Sequence, residues 1–334
     1  MNLETLHKYK EDGLLRCQTH PTLPLTIWNY TEKVQYEKLW DEVTLSCRGL
    51  VFDDEGNQAS YPFKKFFNIE ENKHTPTNDF EIYEKVDGSL ITVFNYNGEW
   101  VASSRGSFTS DQAIAAQELF NRFKVDMLDP NSTYLFELIA PWNRIVVDYG
   151  DAEELILLGI KSKEYECNYE ELVAVSKYLG CKVTQLFHFE DYTEIQKLNW
   201  ANTEGFIVRF SNGDRCKIKF EEYLRLHKIM TEVSTTGIWE SLKNGDGIAE
   251  LLKDVPDEFY DKIDEYVEEL VSQYIMLEKE YTWIFNKLKD IEDRARFAEL
   301  AKRYKYPQLL FKMMDGSDYS EAIWRIIKPE WRKL

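Results

Sequence analysis

The chain changes character once, near residue 221, and no other feature limits its fold as much. Between residues 43 and 220, short runs rich in β-branched and aromatic residues alternate with turn residues, the pattern of strands. Residues 43–52 and 59–67, separated by Asp53-Asp54-Glu55-Gly56-Asn57, read as a hairpin. Residues 89–96 and 99–103 form the clearest one, because Asn97-Gly98 between them readily supplies the positive φ angles of a type I′ turn. Further strands are predicted at 80–83, 133–139, 155–160, 205–210 and 215–220. Three helices interrupt them: 111–123 capped by Ser110, one opened by Asn168-Tyr169-Glu170-Glu171 and stopped by Gly180, and a third at 191–200.

Beyond Phe220 the strand signals stop. Helices are predicted at 221–231, 237–243, 257–289, 291–304 and 320–327, the long one carrying Ile263, Val267, Leu270, Tyr274 and Leu277 at helical spacing. The fold class is therefore α+β, an antiparallel-sheet domain at residues 1–235 followed by an all-helical domain at 236–334.

Charge narrows the function. With 59 Asp and Glu against 41 Lys and Arg, the net charge of -18 repels polyanions, so a nucleic acid would have to meet a local basic surface. Charge in the helical half is segregated, acidic over 254–280 and basic over 302–333, where Lys302, Arg303, Lys305, Lys312, Arg325, Lys328, Arg332 and Lys333 fall. No run approaches the roughly 20 apolar residues of a membrane helix, and the polar start does not resemble a signal peptide, so no membrane association and an intracellular location are expected. The five cysteines are scattered, with no C-x-x-C pair, which argues against a disulfide framework or a zinc site. Cys47 and Cys216 read as small buried residues rather than nucleophiles.

The segment with chemical promise is Glu84-Lys85-Val86-Asp87-Gly88-Ser89, a lysine between two predicted strands. An amine is nucleophilic only when neutral, so catalytic use of Lys85 predicts burial or neighbouring cations that depress its pKa. Alone, K-x-D-G is a weak signal and a β-turn explains it. It is followed, however, by Ser103-Ser104-Arg105-Gly106, then Glu137 within a strand, then Glu204-Gly205-Phe206-Ile207, then Lys217-Ile218-Lys219. This order resembles that of the covalent nucleotidyltransferases, which include RNA ligases, DNA ligases and mRNA capping enzymes. Upstream, Arg48-Gly49-Leu50-Val51-Phe52 and Lys65-Phe66-Phe67-Asn68 narrow the resemblance to the ATP-dependent RNA ligases of the phage T4 RNA ligase 1 type, over residues 28 to 225.

The resemblance implies an ATP-grasp-like nucleotidyltransferase (adenylyltransferase) domain in which Lys85 becomes a lysyl-AMP. It implies that Arg48 and Lys65 bind the ATP phosphates and Phe67 shapes the site. Gly88, Arg105 and Glu137 would contact the nucleotide, Glu204 would support Mg²⁺ (or Mn²⁺), and Lys217 and Lys219 would meet the α-phosphate. Tyr223 falls where the family has a functional tyrosine, whereas the family's N-terminal tyrosine corresponds to either Trp28 or Tyr30. Arg105 departs from the familiar lysine, which changes how it meets phosphate. Charge neutralisation by cations and a divalent metal suits attack on a polyphosphate, and Lys217 and Lys219, two apart on a strand, share a face. The activity implied is joining of 5′-phosphate and 3′-hydroxyl RNA ends. The partners implied are RNA ends, in particular a nicked tRNA anticodon loop met by the helical domain, with no protein partner, in the cytoplasm of a phage-infected host. Two rivals stay open: a DNA ligase or capping enzyme, and a noncatalytic nucleic-acid-binding module.

Overall fold

The computed structural model describes residues 1–331 except 72, 233, 247 and 249–259. The chain divides into two compact units, Met1–Leu224 and a second from Arg225 onward. The first is built on three sheets. Strands β1 (Leu15–Thr19), β2 (Leu25–Tyr30) and β3 (Arg48–Asp53) make an antiparallel sheet in that order, with helices α1 (Leu3–Glu11), α2 (Glu32–Tyr36) and α3 (Glu42–Ser46) in the same region. Leu6, Leu15, Trp28, Val34 and Phe52 bury one core there.

Two five-stranded sheets carry the rest. One holds β4 (Phe67–Asn68), β5 (Phe80–Glu84), β11 (Leu186–Phe187), β12 (Gly205–Phe210) and β13 (Arg215–Lys219), in the order β11-β5-β12-β13-β4. The other holds β6 (Ser89–Tyr96), β7 (Glu99–Ser104), β8 (Thr133–Ile139), β9 (Glu154–Lys161) and β10 (Lys182–Val183), ordered β10-β9-β8-β6-β7. Among the described residues, only the β9/β10 and β13/β4 pairs are parallel. Helices α4 (Asp111–Phe120) and α5 (Tyr169–Leu179) contribute Ala116, Phe120, Leu172 and Leu179 to a core shared with Ile91, Phe136 and Leu157 of the second sheet. Ser110 caps α4, Asn168 and Glu171 form the capping box of α5, and Gly180 ends it with φ +74°.

Three expectations need correction. Residues 43–46 are helical rather than the start of a strand, because Asp41 accepts from the Thr44 amide while the Thr44 hydroxyl accepts from the Asp41 amide, a capping box that overrides their β-branched composition. Residues 59–67 do not form the expected second strand: Gln58, Ala59 and Ser60 lie against β3, through the Phe52–Gln58 bridge, the Ala59 amide donating to the Val51 carbonyl and the Ser60 hydroxyl accepting from the Val51 amide, and farther along Phe67–Asn68 pairs in parallel with β13 instead. The helix expected at 191–200 is a 3₁₀ segment, Tyr192–Lys197.

The described residues of the second unit are helical throughout: α6 (Glu221–Glu232), which begins at the end of the first unit, is followed by α7 (Thr235–Asn244), α8 (Tyr260–Leu288), α9 (Arg294–Ala301), α10 (Pro307–Met314) and α11 (Ser320–Ile326). The spacing in α8 puts Ile263, Tyr266 and Leu270 against Ile238, Trp239 and Trp324, and Tyr281 and Ile284 against Phe297, Leu309, Leu310 and Ile323. Residues 257–259 of the expected long helix lie outside the described residues. Asp264, Glu265, Glu268 and Glu269 are exposed, as a solvated acidic face should be. In the basic stretch Arg303 pairs with Glu299 and Arg325 with Glu321, while Arg332 and Lys333 lie outside the described residues. No helix among the described residues is long and apolar enough to cross a membrane.

Candidate active site

Strand register assembles the centre of the site. The Lys85 amide, just past β5, donates to the Gly205 carbonyl at 2.9 Å, and Gly205 lies opposite Lys219 across the β12/β13 pair. The Lys85 ammonium therefore reaches Glu204 Oε2 at 2.6 Å, and the Lys219 ammonium reaches Glu204 Oε1 at 2.7 Å. Glu204 is 2% exposed, and each lysine side chain about a fifth. Gly205, at φ +143°, has no room for a side chain: a Cβ would strike the Ile218 carbonyl oxygen, so only glycine lets β12 meet β13 this closely.

The loop after Lys85 is fastened from several directions. Asp87 Oδ2 accepts from the Val146 and Val147 amides, both at 2.9 Å, and Oδ1 accepts from the Tyr223 hydroxyl at 2.8 Å. The Asp87 amide donates to the Tyr149 hydroxyl at 2.9 Å. A Cβ on Gly88 would collide with the Leu138 carbonyl oxygen and lie 3.1 Å from Glu137 Cγ, so the glycine presses the lysine loop onto β8 beside the Glu137 carboxyl. The Lys219 ammonium sits 4.8 Å from the Tyr223 ring centroid, a cation–π contact that ties Tyr223 to the same group.

A second wall is cationic and aromatic. The Arg105 guanidinium is 5.7 Å from the Tyr30 ring centroid, Tyr30 packs edge-on against Trp40, and Trp40 edge-on against Phe67. The Lys65 ammonium lies 5.6 Å from the Trp40 centroid and 5.3 Å from that of Phe67. Phe67 is 8% exposed, so it packs as core while one ring face meets the Lys65 cation. Along β13, Arg215, Lys217 and Lys219 share a face while Cys216 and Ile218 are buried on the other. Cys47 and Cys216 are buried too, and burial pushes each thiol up to about 12, well away from thiolate reactivity at neutral pH.

Electrostatics link the two walls. Burial, together with Lys65, Lys219, Lys85 and Arg48, pushes the Lys217 amine down to about 7. Burial and Arg48 likewise bring Lys65 to about 8, despite Glu71. Burial lowers Arg48 as well, with Tyr30 and Glu137 opposing it and Arg105 adding to it. Lys85 behaves otherwise than expected. Burial works against its ammonium, but Glu204 and Glu137 outweigh burial and hold the amine above its ordinary range. Lys217, Lys65 and Arg48 are thus lowered by burial and by one another, whereas the nucleophile candidate is raised by the carboxylate that it shares with Lys219.

Among the described residues no group of three or more His, Cys, Asp or Glu is placed to cage a metal ion. Magnesium bound with a nucleotide needs only one or two protein carboxylates, the remaining positions being water and phosphate oxygen. The donors here suit that arrangement. Burial raises the Glu137 carboxyl to about 7, with Glu204 and Asp87 adding to the rise against Lys85 and Arg48, so a divalent cation would favour its ionised form. Asp87 is fully used by the loop, and Glu204 would have to release one of its two lysines to serve beside Glu137.

The eleven residues singled out from the sequence all lie in the first unit, on or next to β3, β4, β5, β6, β7, β8, β12 and β13 and at the start of α6. Sequence reasoning missed Trp40, which orients Lys65; the Val146–Val147 amides; and Tyr149. None carries a motif signal, since the chain places them by folding rather than by spacing. Trp28 and Tyr30 are both buried in the core with Leu6 and Leu15, and of the two it is the Tyr30 ring that lies against the Arg105 guanidinium.

The chain is 22% identical over 383 aligned positions to an RNA ligase of Rhodothermus phage RM378, covering 88% of this chain and 86% of the relative. It is 31% identical over 248 positions to a protein of Autographa californica nuclear polyhedrosis virus described as a bifunctional polynucleotide kinase/RNA ligase, covering 60% of this chain but only 35% of that one. In fold it is similar to an archaeal ATP-dependent RNA ligase, with a TM-score of 0.51, 15% identity, and coverage of 95% and 96% of the two chains. The pattern of the RNA ligases of the T4 RNA ligase 1 type matches residues 46–224, more than half of the chain and the whole span from Arg48 to Tyr223, and the chain belongs to that family.

Proposed function

We propose that the protein is an ATP-dependent RNA ligase that joins 5′-phosphate and 3′-hydroxyl RNA ends through lysyl-AMP, with an adenylyltransferase domain at residues 1–235 and a helical domain at 236–334. The observation that carries this reading is the Glu204 carboxylate shared by the Lys85 and Lys219 ammoniums in a buried setting. It keeps one amine aimed and gives that amine a proton acceptor 2.6 Å away. The Lys85 ammonium first passes one proton to Glu204, and the neutral amine attacks the α-phosphorus of ATP, a substrate here; the N–P bond forms, the bond to diphosphate breaks, and the second proton leaves with the diphosphate. Lys217 and Lys219 meet the α-phosphate, and Arg48, Lys65 and Arg105 meet the phosphates that leave. Magnesium, held by Glu204 with Glu137 nearby, would supply charge neutralisation at the phosphates. Gly88 and Glu137 border the nucleotide, and Phe67 fixes Lys65.

The AMP then passes from Lys85 to an RNA 5′-phosphate, freeing the amine. A 3′-hydroxyl next displaces AMP from the activated end, sealing the strand. A covalent intermediate divides one hard condensation into displacements with good leaving groups. The helices that follow Lys219 support an RNA ligase over a DNA ligase or capping enzyme, in which a β-barrel follows that point. The biological role proposed with this reading is repair of nicked tRNA, with the cations of the helical domain meeting RNA in the host cytoplasm. The test pairs ATP against GTP and RNA against DNA ends in a sealing assay. Sealing of RNA with ATP is expected; preference for GTP or for DNA ends would assign the other nucleotidyltransferase classes, and no sealing at all a binding module.

A further inference from the structure

Asn29 of β2 lies opposite Arg48 of β3, so their side chains share one face of the sheet. It is 1% exposed, and neither its Nδ2 nor its Oδ1 has a hydrogen-bond partner among the described residues. A buried amide with both ends unpaired is costly, and native proteins keep such groups only for a reason. Its surroundings point to one. The backbone of Gly106, the residue after Arg105, approaches so closely that a Cβ there would lie 3.5 Å from Asn29 Nδ2. The amide is thus enclosed between the residues that hold Arg48 and Arg105. On the adjoining sheet Thr92 is 1% exposed and its hydroxyl is also unpaired; a Cβ on Gly49, next to Arg48, would lie 3.6 Å from it. Two orphaned polar groups therefore flank the glycines that follow the two arginines.

We propose that Asn29 is a further substrate-binding residue, whose Nδ2 donates to an oxygen of the ATP phosphates held by Arg48 and Arg105. This rests on the reading of those arginines as phosphate contacts. An amide suits the place. It adds a directed donor without adding charge to a wall already crowded with cations, and it keeps the pocket selective for an acceptor-rich ligand. Fold stability is traded for binding, as at other functional sites.

The trade makes the test. Asn29→Leu replaces the amide by an apolar group of similar size, so it should raise the melting temperature of the free protein. It should also weaken ATP binding by calorimetry, and raise KM for ATP in lysyl-AMP formation, by roughly ten- to a hundredfold, the worth of one hydrogen bond to a charged group. Sealing of pre-adenylylated RNA should stay at the wild-type rate. Asn29→Asp, which can pair with Arg48 and so should fold even if the leucine variant does not, should lose ATP affinity in the same way. A fall in melting temperature with ATP-dependent and pre-adenylylated sealing lost together would make Asn29 purely structural. Wild-type ATP affinity in both variants would remove it from the site. ATP bound by the wild type without an adduct would end the lysyl-AMP reading instead, leaving Asn29 to be judged on affinity alone.

Discussion

Replacing Glu204 with Gln should destabilise the protein in a pH-dependent way that reports its hold on the two lysines. The substitution keeps shape and burial but leaves the Lys85 and Lys219 ammoniums, 2.6 and 2.7 Å away, without a counter-charge. Breaking a fully buried pair costs about 3–5 kcal/mol. The lysine side chains here are about a fifth exposed, so water relieves part of that, and a penalty of about 2–3 kcal/mol near pH 7 is expected. Deprotonation sets a ceiling. From the ordinary value of 10.5, holding Lys85 neutral costs about 5 kcal/mol at pH 7 but only about 1.4 kcal/mol at pH 9.5, at 1.36 kcal/mol per unit. In the wild type the Lys85 amine is raised, so its contribution is complete below 10.5 and is lost only above it. In the variant, burial without Glu204 drives it below 10.5, so the folded state gains stability as pH rises through the lowered value. The gap between the two proteins should therefore narrow from pH 7 to 9.5. Urea unfolding at each pH, followed on the transition that ATP shifts, measures it. A gap that stays constant or widens would refute the claim that Glu204 compensates these ammoniums.

Lys217→Ala or Lys219→Ala should each lose about 3 kcal/mol of transition-state stabilisation in lysyl-AMP formation, read as kcat/KM for ATP, as for loss of one preorganised donor. Because Lys217 titrates near 7 in the free protein, ATP binding above that pH should take up protons, seen as a buffer-dependent heat in calorimetry. Arg48→Ala and Lys65→Ala should impair the ATP-consuming step while sealing pre-adenylylated RNA appreciably better; equal loss in both assays would misplace them. A chain ending near residue 235 should still form lysyl-AMP and seal short single-stranded RNA comparably, but seal a nicked tRNA stem-loop less well. Charge reversal at Arg325, Lys328, Arg332 and Lys333 should reproduce that defect and flatten the salt dependence of RNA binding.

Local signals in the sequence were legible where a few neighbouring residues decide the structure. Asn97 and Gly98 take φ +53° and +89°, the turn their identities predict, and Asn168, Glu171 and Gly180 start and stop α5. Pairings between distant segments were not legible. Nothing in Phe67-Asn68 announces a parallel partner at residues 216 and 217, and the strands at 15–19 and 25–30 lacked the turn pair that made 89–103 plain. The site follows the same division. Lys85, Glu204, Lys217 and Lys219 stand out through order along the chain. Asn29, Trp40 and the amides that hold Asp87 belong to the site only because the sheets bring them there.

The central claim is covalent, and one measurement addresses it: incubation with ATP labelled at the α-phosphate and Mg²⁺, denaturing electrophoresis, and peptide mapping of the labelled protein. The account predicts one AMP per chain, acid-labile and base-stable as a phosphoramidate should be, on the peptide containing Lys85 and absent from Lys85→Ala. Label on another residue, or an adduct that persists in Lys85→Ala, would contradict it.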